Sequence, residues 1–133
     1  MYTNSGSDQY RTSAATTASP AQLVLMLYDG ALVRVHRAEL ALAADPVDVT
    51  AVNDHLSRAQ AIVDELSLTL DRERGGEMAA NLASLYTFCR ERLIDANVAK
   101  SAEPLAAVID TLTGLRDAWE QACVRGVATA AVG

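Results

Sequence analysis

Two histidines, two cysteines and one Gly-Gly pair are the residues of this chain whose types could support metal, nucleophilic or phosphate chemistry. Each falls short on spacing. A carboxylate-bridged di-metal site in a helical protein needs Glu-x-x-His on two helices plus two further inward carboxylates. Neither histidine has a glutamate three residues before it: His36 precedes Glu39 by three and His55 follows Asp54. Each is a single imidazole among polar neighbours, which reads as a surface or boundary histidine. Cys89 and Cys123 sit in apolar helical patterns with no adjacent basic cluster to lower a thiol pKa. They read as core-filling thiols, neither nucleophiles nor a disulfide scaffold. Arg74-Gly75-Gly76 has too few glycines for a phosphate loop and reads as a turn. Ser19 and Ser101 are accounted for by helix caps, and no acid pair can be assigned to one cleft. The expectation is a protein with no catalytic residue, no metal and no cofactor, whose work is to bind another polypeptide.

The elements that would position such a surface are all helical. Ser19-Pro20-Ala21-Gln22 combines a capping serine, a proline at the first helical position and a glutamine that can close a capping box. Helix 1 is predicted from about Pro20 to Ala44, with Leu23, Met26, Leu27 and Gly30 on one stripe. Val24, Leu25, Tyr28 and Leu32 lie off that stripe, an apolar surplus larger than one core face needs. Gly30, without a side chain, is a candidate for a close helix crossing. Asp45-Pro46 marks the break. Helix 2, about Val47 to Leu70, carries Val49, Val52, Leu56, Ala59, Val63, Leu66 and Leu70 at a 3-4 spacing, and the Gly-Gly pair follows as its turn. Helix 3, about Glu77 to Val98, aligns Met78, Leu82, Leu85, Cys89, Leu93 and Ala96, broadened by Tyr86, Phe88 and Ile94. Helix 4 opens at Ser101 and carries Leu105, Val108, Leu112, Leu115, Trp119 and Ala122 to near Gly126. Nothing alternates long enough to predict a sheet. Four such segments with short links predict an all-α, antiparallel four-helix bundle over residues 19–126. Residues 1–18, rich in Ser, Thr, Asn and Gly, read as a flexible N-terminal arm with Tyr10 its most adhesive residue, and 127–133 as a disordered tail.

Composition narrows the partner. At 133 residues and 50% apolar there is room for one domain with its own core, built mainly from Ala, Leu and Val since only 5% is aromatic. Seventeen acidic residues against eleven scattered basic ones give a net charge of -6, so no basic stripe tracks a phosphate backbone and nucleic acid is not expected. Membrane insertion is not expected either: the most apolar stretch, Leu23 to Val33, is about half the span a bilayer needs and contains Asp29. The N-terminal MYTNSGSDQYR has no basic cap or apolar run, so no signal peptide is read there and a cytoplasmic location is expected. Periodicity alone leaves two uses for the apolar surplus open. One is a groove that takes an amphipathic partner; the other is a broad core or a homodimer interface.

Three ordered stretches carry a resemblance. TASPAQLVLMLYDGAL (17–32), SLTLDRERGGEMAANLASLYTFCRERLIDANV (67–98) and LTGLRDAWEQA (112–122) together resemble the FliS-type flagellar export chaperone family, over about Tyr10 to Ala122. The resemblance implies an antiparallel helical bundle of the bacterial cytoplasm with no catalytic residues and no cofactor. It implies a chaperone that holds new flagellin by its disordered C-terminal segment, prevents premature polymerisation and delivers it to the flagellar export gate protein. It also implies an N-terminal arm, with Tyr10 at the position of that arm's tyrosine, able to lie over the apolar surface when flagellin is absent. A disordered tail must repay an ordering cost of a few kcal/mol. An extended wrap of ~1,000 Å² of apolar area is worth roughly 25 kcal/mol gross, most of it consumed by ordering and association.

On that implication the expected contact set is Tyr10 in the arm; Leu23, Met26, Leu27 and Tyr28 on helix 1; and Ile62, Leu66, Asn81, Leu82, Leu85, Tyr86, Leu93 and Asn97 on helices 2 and 3. Ile62 and Tyr86 are placed beside the best core stripes, and Asn81 and Asn97 interrupt broad apolar sides where they could bind a partner's backbone. The chain departs from the family's pattern at Phe88 and Cys89, where a tyrosine and a methionine are usual, and at His36 and Arg37.

Overall fold

The computed structural model describes residues 18–126; the arm call at 1–18, Tyr10 included, lies outside them except for Ala18, and the tail call at 127–133 lies outside them entirely. Four helices follow in order: α1 (Pro20–Ala43), α2 (Val49–Leu68), α3 (Arg72–Ala99) and α4 (Leu105–Arg125). Contacts run α1–α2, α2–α3, α3–α4 and α4–α1, so consecutive antiparallel helices close a ring around one core. No sheet forms among the described residues.

Local chemistry sets most of the boundaries. Ser19 and Gln22 form the predicted capping box: Gln22 N–H donates to Ser19 Oγ at 3.2 Å and Ser19 N–H to Gln22 Oε1 at 2.9 Å. Asp48 caps α2 by accepting from Ala51 N–H at 3.1 Å. Gly126, at φ 72°, ends α4 in the left-handed conformation a glycine reaches without strain.

Two boundaries differ from expectation. The turn after α2 falls at Thr69-Leu70, ahead of the glycines, because Asp71 is itself a cap: its carboxylate accepts from Arg74 N–H at 3.0 Å and starts α3 at Arg72. The Gly-Gly pair therefore lies inside α3 as a kink, with Gly76 at φ 52°, ψ -127°. The second shift is at the other end of the bundle. Ser101 does not open α4; Leu105 N–H bonds to Ala102 O and Ala106 N–H to Glu103 O. Those are the i→i+3 bonds of a tight turn, so regular helix begins only at Leu105.

The core corrects the expected stripe of α1. Its buried side is Ala21, Val24, Tyr28, Ala31, Val35, Ala38 and Ala41, whereas Leu23 and Met26 are exposed and Leu27 is partly buried. The stripe with the small residues wins because alanines let α1 approach its neighbours closely. The other helices supply the bulk, including Leu56, Leu66, Leu93, Leu105 and Leu112. Val49 and Met78, expected inside, are exposed, as is Leu85, which was placed both on the helix 3 stripe and in the expected contact set. No charged side chain is buried among the described residues. The inter-helix ion pairs Arg90–Asp64 (2.9 Å) and Arg116–Asp29 (2.5 Å) are solvent-facing, where water screens such pairs and leaves them little net effect on stability, so apolar burial holds the bundle.

Gly114 on α4 gives a first test. Nothing lies within 4 Å of a Cβ built there, so Gly114→Ala should stabilise the bundle by about 0.5–1 kcal/mol through reduced freedom of the unfolded chain. Denaturant titration reads the shift as a raised midpoint.

Candidate binding surface

The side chains the bundle leaves outside are large. On α1, Leu23 (36% exposed), Met26 (37%), Gly30, Val33, Arg37 and Leu40 recur at alternating spacings of three and four, one continuous outward stripe. Alanine fills much of the inward side while leucine and methionine face water. On α3, Met78 (58%), Asn81, Leu85 (38%) and Phe88 form a second stripe at the same spacing. Arg90 and Asn97 reach α2 from the opposite flank of α3, so this stripe lies toward α4.

Each stripe borders a groove. Between α1 and α2, Met26, Asp29, Gly30, Val33, Arg34, Arg37 and Ile62 line a hollow of about 390 Å³. A Cβ on Gly30 would stand 3.6 Å from Ile62 Cδ1, ordinary contact. The missing side chain therefore deepens the groove and is not demanded by a close crossing. Between α3 and α4, Met78, Leu82, Leu115, Ala118, Trp119 and Ala122, with Tyr28 at the base, line a more apolar hollow of about 250 Å³. In the ring of helices these grooves lie on opposite flanks.

The expected contact residues divide accordingly. Leu23, Met26, Leu85 and Asn81 are exposed, and Leu27 and Ile62 half-buried. Leu66 and Leu93 are fully buried, and Leu82 is buried at the wall of the α3/α4 groove. Tyr86, placed beside the core stripe by periodicity, is on it, and Tyr28 is equally enclosed. Asn97 is engaged: its amide donates to Asn53 Oδ1 at 3.0 Å, and Lys100 Nζ donates to its carbonyl at 2.8 Å and to its side-chain oxygen. Met78, Phe88, Val33 and Trp119 were outside the expected set. For Val33 the available signal was the 3-4 repeat 23-26-30-33-37-40, for Met78 and Phe88 the repeat 78-81-85-88, and for Trp119 there was none.

Tyr28 and Tyr86 join α1 to α3 across the core. Their hydroxyls are 2.5 Å apart and their ring centroids 6.3 Å apart. Burial pushes both phenol pKa values up, so the pair is neutral and shares one hydrogen bond, each hydroxyl the other's partner. Removing either hydroxyl strands the other in the core. Tyr28→Phe and Tyr86→Phe should each cost about 1–3 kcal/mol, while the double variant should cost clearly less than their sum. A double-mutant cycle by urea unfolding measures that coupling.

No competing chemistry emerges among the described residues. No group of three His, Cys, Asp or Glu side chains is placed to hold a metal ion. His36 Nδ1 pairs with Glu39 at 3.1 Å, and His55 Nδ1 meets Arg34 at 3.2 Å. The Cys89 thiol is enclosed and its pKa is pushed up to about 11 by burial, the opposite of an activated nucleophile. No described helix is long and apolar enough to cross a membrane.

Comparison with known proteins gives one consistent result. A family model described as "Flagellar protein FliS" matches residues 2–126. The chain is 41% identical over 126 residues to the "Flagellar secretion chaperone FliS" of Salmonella typhimurium, covering 91% of this chain and 92% of that protein. It is 37% identical over 113 residues to the protein of that name in Bacillus subtilis, covering 85% and 82%. The Campylobacter jejuni protein is 34% identical over 121 residues, covering 91% and 93%.

Proposed function

The chain belongs to the FliS family of flagellar proteins, and we propose that it is a secretion chaperone for flagellin that works in the cytoplasm of a flagellated bacterium. It holds the disordered C-terminal segment of flagellin on its apolar stripes, keeps flagellin from polymerising early, and presents it to the flagellar export gate protein. The observation that carries this reading is α1, which packs alanines inward and holds Leu23, Met26, Val33 and Leu40 outward. A helix that served only its own core would gain by the reverse arrangement, at roughly 0.8 kcal/mol for each CH₂ taken from water. The outward stripe therefore belongs to a second chain.

Two grooves on opposite flanks suit a long, initially disordered occupant. Such a segment can wrap the bundle and fill both, which a compact partner cannot do. The arm fits the same scheme. It leaves the bundle at Ser19, beside Ala21, whose carbonyl accepts from Trp119 Nε1 at 2.8 Å. In this proposal the arm, with Tyr10, covers the apolar surface until flagellin arrives, at some cost in apparent affinity.

Calorimetry with the C-terminal segment of the flagellin from the same genome tests the reading. Submicromolar binding with a negative heat-capacity change is expected, and no binding to that segment overturns it. Removing residues 1–18 should strengthen binding or promote self-association; no change in either removes the arm from the scheme. Light scattering that gives a stable dimer indifferent to flagellin would assign the stripes to a homodimer instead.

A further inference from the structure

We propose that residues 127–133 fold back from the end of α4 and lay their two valines into the α3/α4 groove, so that the free chain covers its own Trp119. The inference stands whichever partner the chain carries. These residues lie outside the described ones, and what points them at the groove is the way α4 stops. Gly126 takes left-handed angles (φ 72°, ψ 22°), and its N–H bonds to Cys123 O at 3.1 Å and to Ala122 O. Those are the bonds of a glycine cap that turns the chain off the helix axis. Such a cap commonly sets the residue after the glycine against the residue four before it. Here the first is Val127 and the second is Ala122, which lines the groove. The cap therefore delivers the tail to the groove at its Ala122 end.

The lining asks for an uncharged occupant with small side chains. Only two of its side chains carry a nitrogen or oxygen, and both are already bonded: Trp119 Nε1 to Ala21 O, and the Tyr28 hydroxyl to that of Tyr86. A charged or amide-rich segment would lose hydration there and gain no hydrogen bond in return. The tail, Val-Ala-Thr-Ala-Ala-Val-Gly, has no charged side chain and a single hydroxyl. Residues 1–17 carry Asp8, Arg11 and nine Ser, Thr, Asn or Gln side chains, which leaves the arm the outward stripe of α1. Reach agrees with chemistry. From Gly126 back to Leu115, the far end of the lining, α4 rises about 16 Å at ~1.5 Å per residue. Val132 lies six residues beyond Gly126, up to ~20 Å of extended chain at ~3.3 Å per residue, so the tail can run the length of the groove and pass over Trp119. Two valines and three alanines bury little area. The tail is therefore a cover that a longer apolar segment displaces, at some cost in that segment's apparent affinity.

Trp119 is the chain's only tryptophan, so acrylamide quenching of its fluorescence in the full chain reads whether the groove is covered. Val127→Asp with Val132→Asp should raise the quenching constant about twofold and shift the emission to the red, because a carboxylate without a counter-charge does not stay against an apolar lining. The rise should be the same at every protein concentration. Circular dichroism should show an unchanged bundle, since both positions lie beyond α4. Val132→Asp alone should give a smaller rise of the same kind, and it decides the question should Val127 be needed to end the helix. Val124→Asp puts the same charge on an exposed face of the last turn of α4 and should leave quenching as in wild type. Equal quenching in wild type and both tail variants overturns the proposal. So does an equal rise in Val124→Asp, which would make the effect one of charge and not of displacement. If Tyr2→Asp with Tyr10→Asp opens Trp119 instead, the arm is the occupant. If wild-type quenching falls with concentration while the mass from light scattering rises, a second copy fills the groove. Either result also overturns the proposal.

Discussion

Leu23→Asp with Met26→Asp should abolish measurable binding of the flagellin segment, at least a hundredfold loss in calorimetry, while leaving the bundle's melting curve almost unchanged. The separation follows from where the two side chains sit. Both are more than a third exposed in the free chain, so aspartate there loses little burial and stays hydrated; surface changes of this kind stay within about 0.5 kcal/mol. In the complex the same positions are covered by an apolar partner. A carboxylate must then be desolvated without a counter-charge, and the apolar contact is lost as well. A hundredfold loss corresponds to about 2.7 kcal/mol, within what a central apolar anchor carries. If the double variant binds like wild type, the outward stripe of α1 is not the flagellin surface. If it melts many degrees lower, Leu23 and Met26 belong to the fold. Leu66→Asp or Leu93→Asp would be uninformative, because those leucines are fully enclosed and a buried carboxylate would unfold the chain before binding was tested.

That contrast marks where sequence reasoning succeeds and where it stops. Helix caps are legible because their chemistry is local: Ser19 and Gln22, or Asp48 and Ala51, need only each other. Helix number and bundle class follow from 3-4 spacing for the same reason. Which of two apolar stripes faces inward is not local. In α1 the stripe through Leu23 and Met26 and the stripe through Val24 and Tyr28 are equally periodic, and hydrophobicity alone favours the bulkier one. The choice is made by the neighbouring helices, through the room that Ala31, Ala38 and Ala59 leave for close approach and through the hydroxyl of Tyr86 waiting for that of Tyr28. The Gly-Gly pair shows the same limit at a boundary. Two glycines permit a turn, yet an aspartate five residues before Gly76 captures the helix start and converts the turn into a kink. For the candidate surface, Leu23, Met26 and Leu85 are legible as members of 3-4 stripes whose inward or outward facing the spacing leaves open, whereas Trp119 and Met78 border it only because α3 and α4 part around them.

Trp119→Ala should cost about 3–5 kcal/mol of stability, the range for removing a large aromatic ring from a packed site. Trp119 is only 8% exposed, belongs to the core cluster, and ties the last helix to the first through its bond to Ala21 O at 2.8 Å. The groove beside it is already about 250 Å³, so deleting the indole joins a new cavity to an existing hollow, and the α1–α4 tie that would drive collapse is lost at once. A domain of this size holds only about 5–15 kcal/mol in total, which makes the loss a large share and lowers the melting temperature by roughly 10–20 °C. Trp119→Phe keeps most of the ring and loses the hydrogen bond, so it should cost clearly less, with about 1 kcal/mol of the difference from wild type assigned to that bond. A loss below about 1 kcal/mol for the alanine variant would mean that the indole covers the groove without supporting the core. The same residue supplies the complementary measurement. It is the chain's only tryptophan, so intrinsic fluorescence reports the α3/α4 groove alone. If a flagellin segment wraps both flanks, its binding shifts Trp119 emission. An unshifted spectrum on saturation would confine the segment to the α1/α2 side and leave Trp119 a purely structural residue.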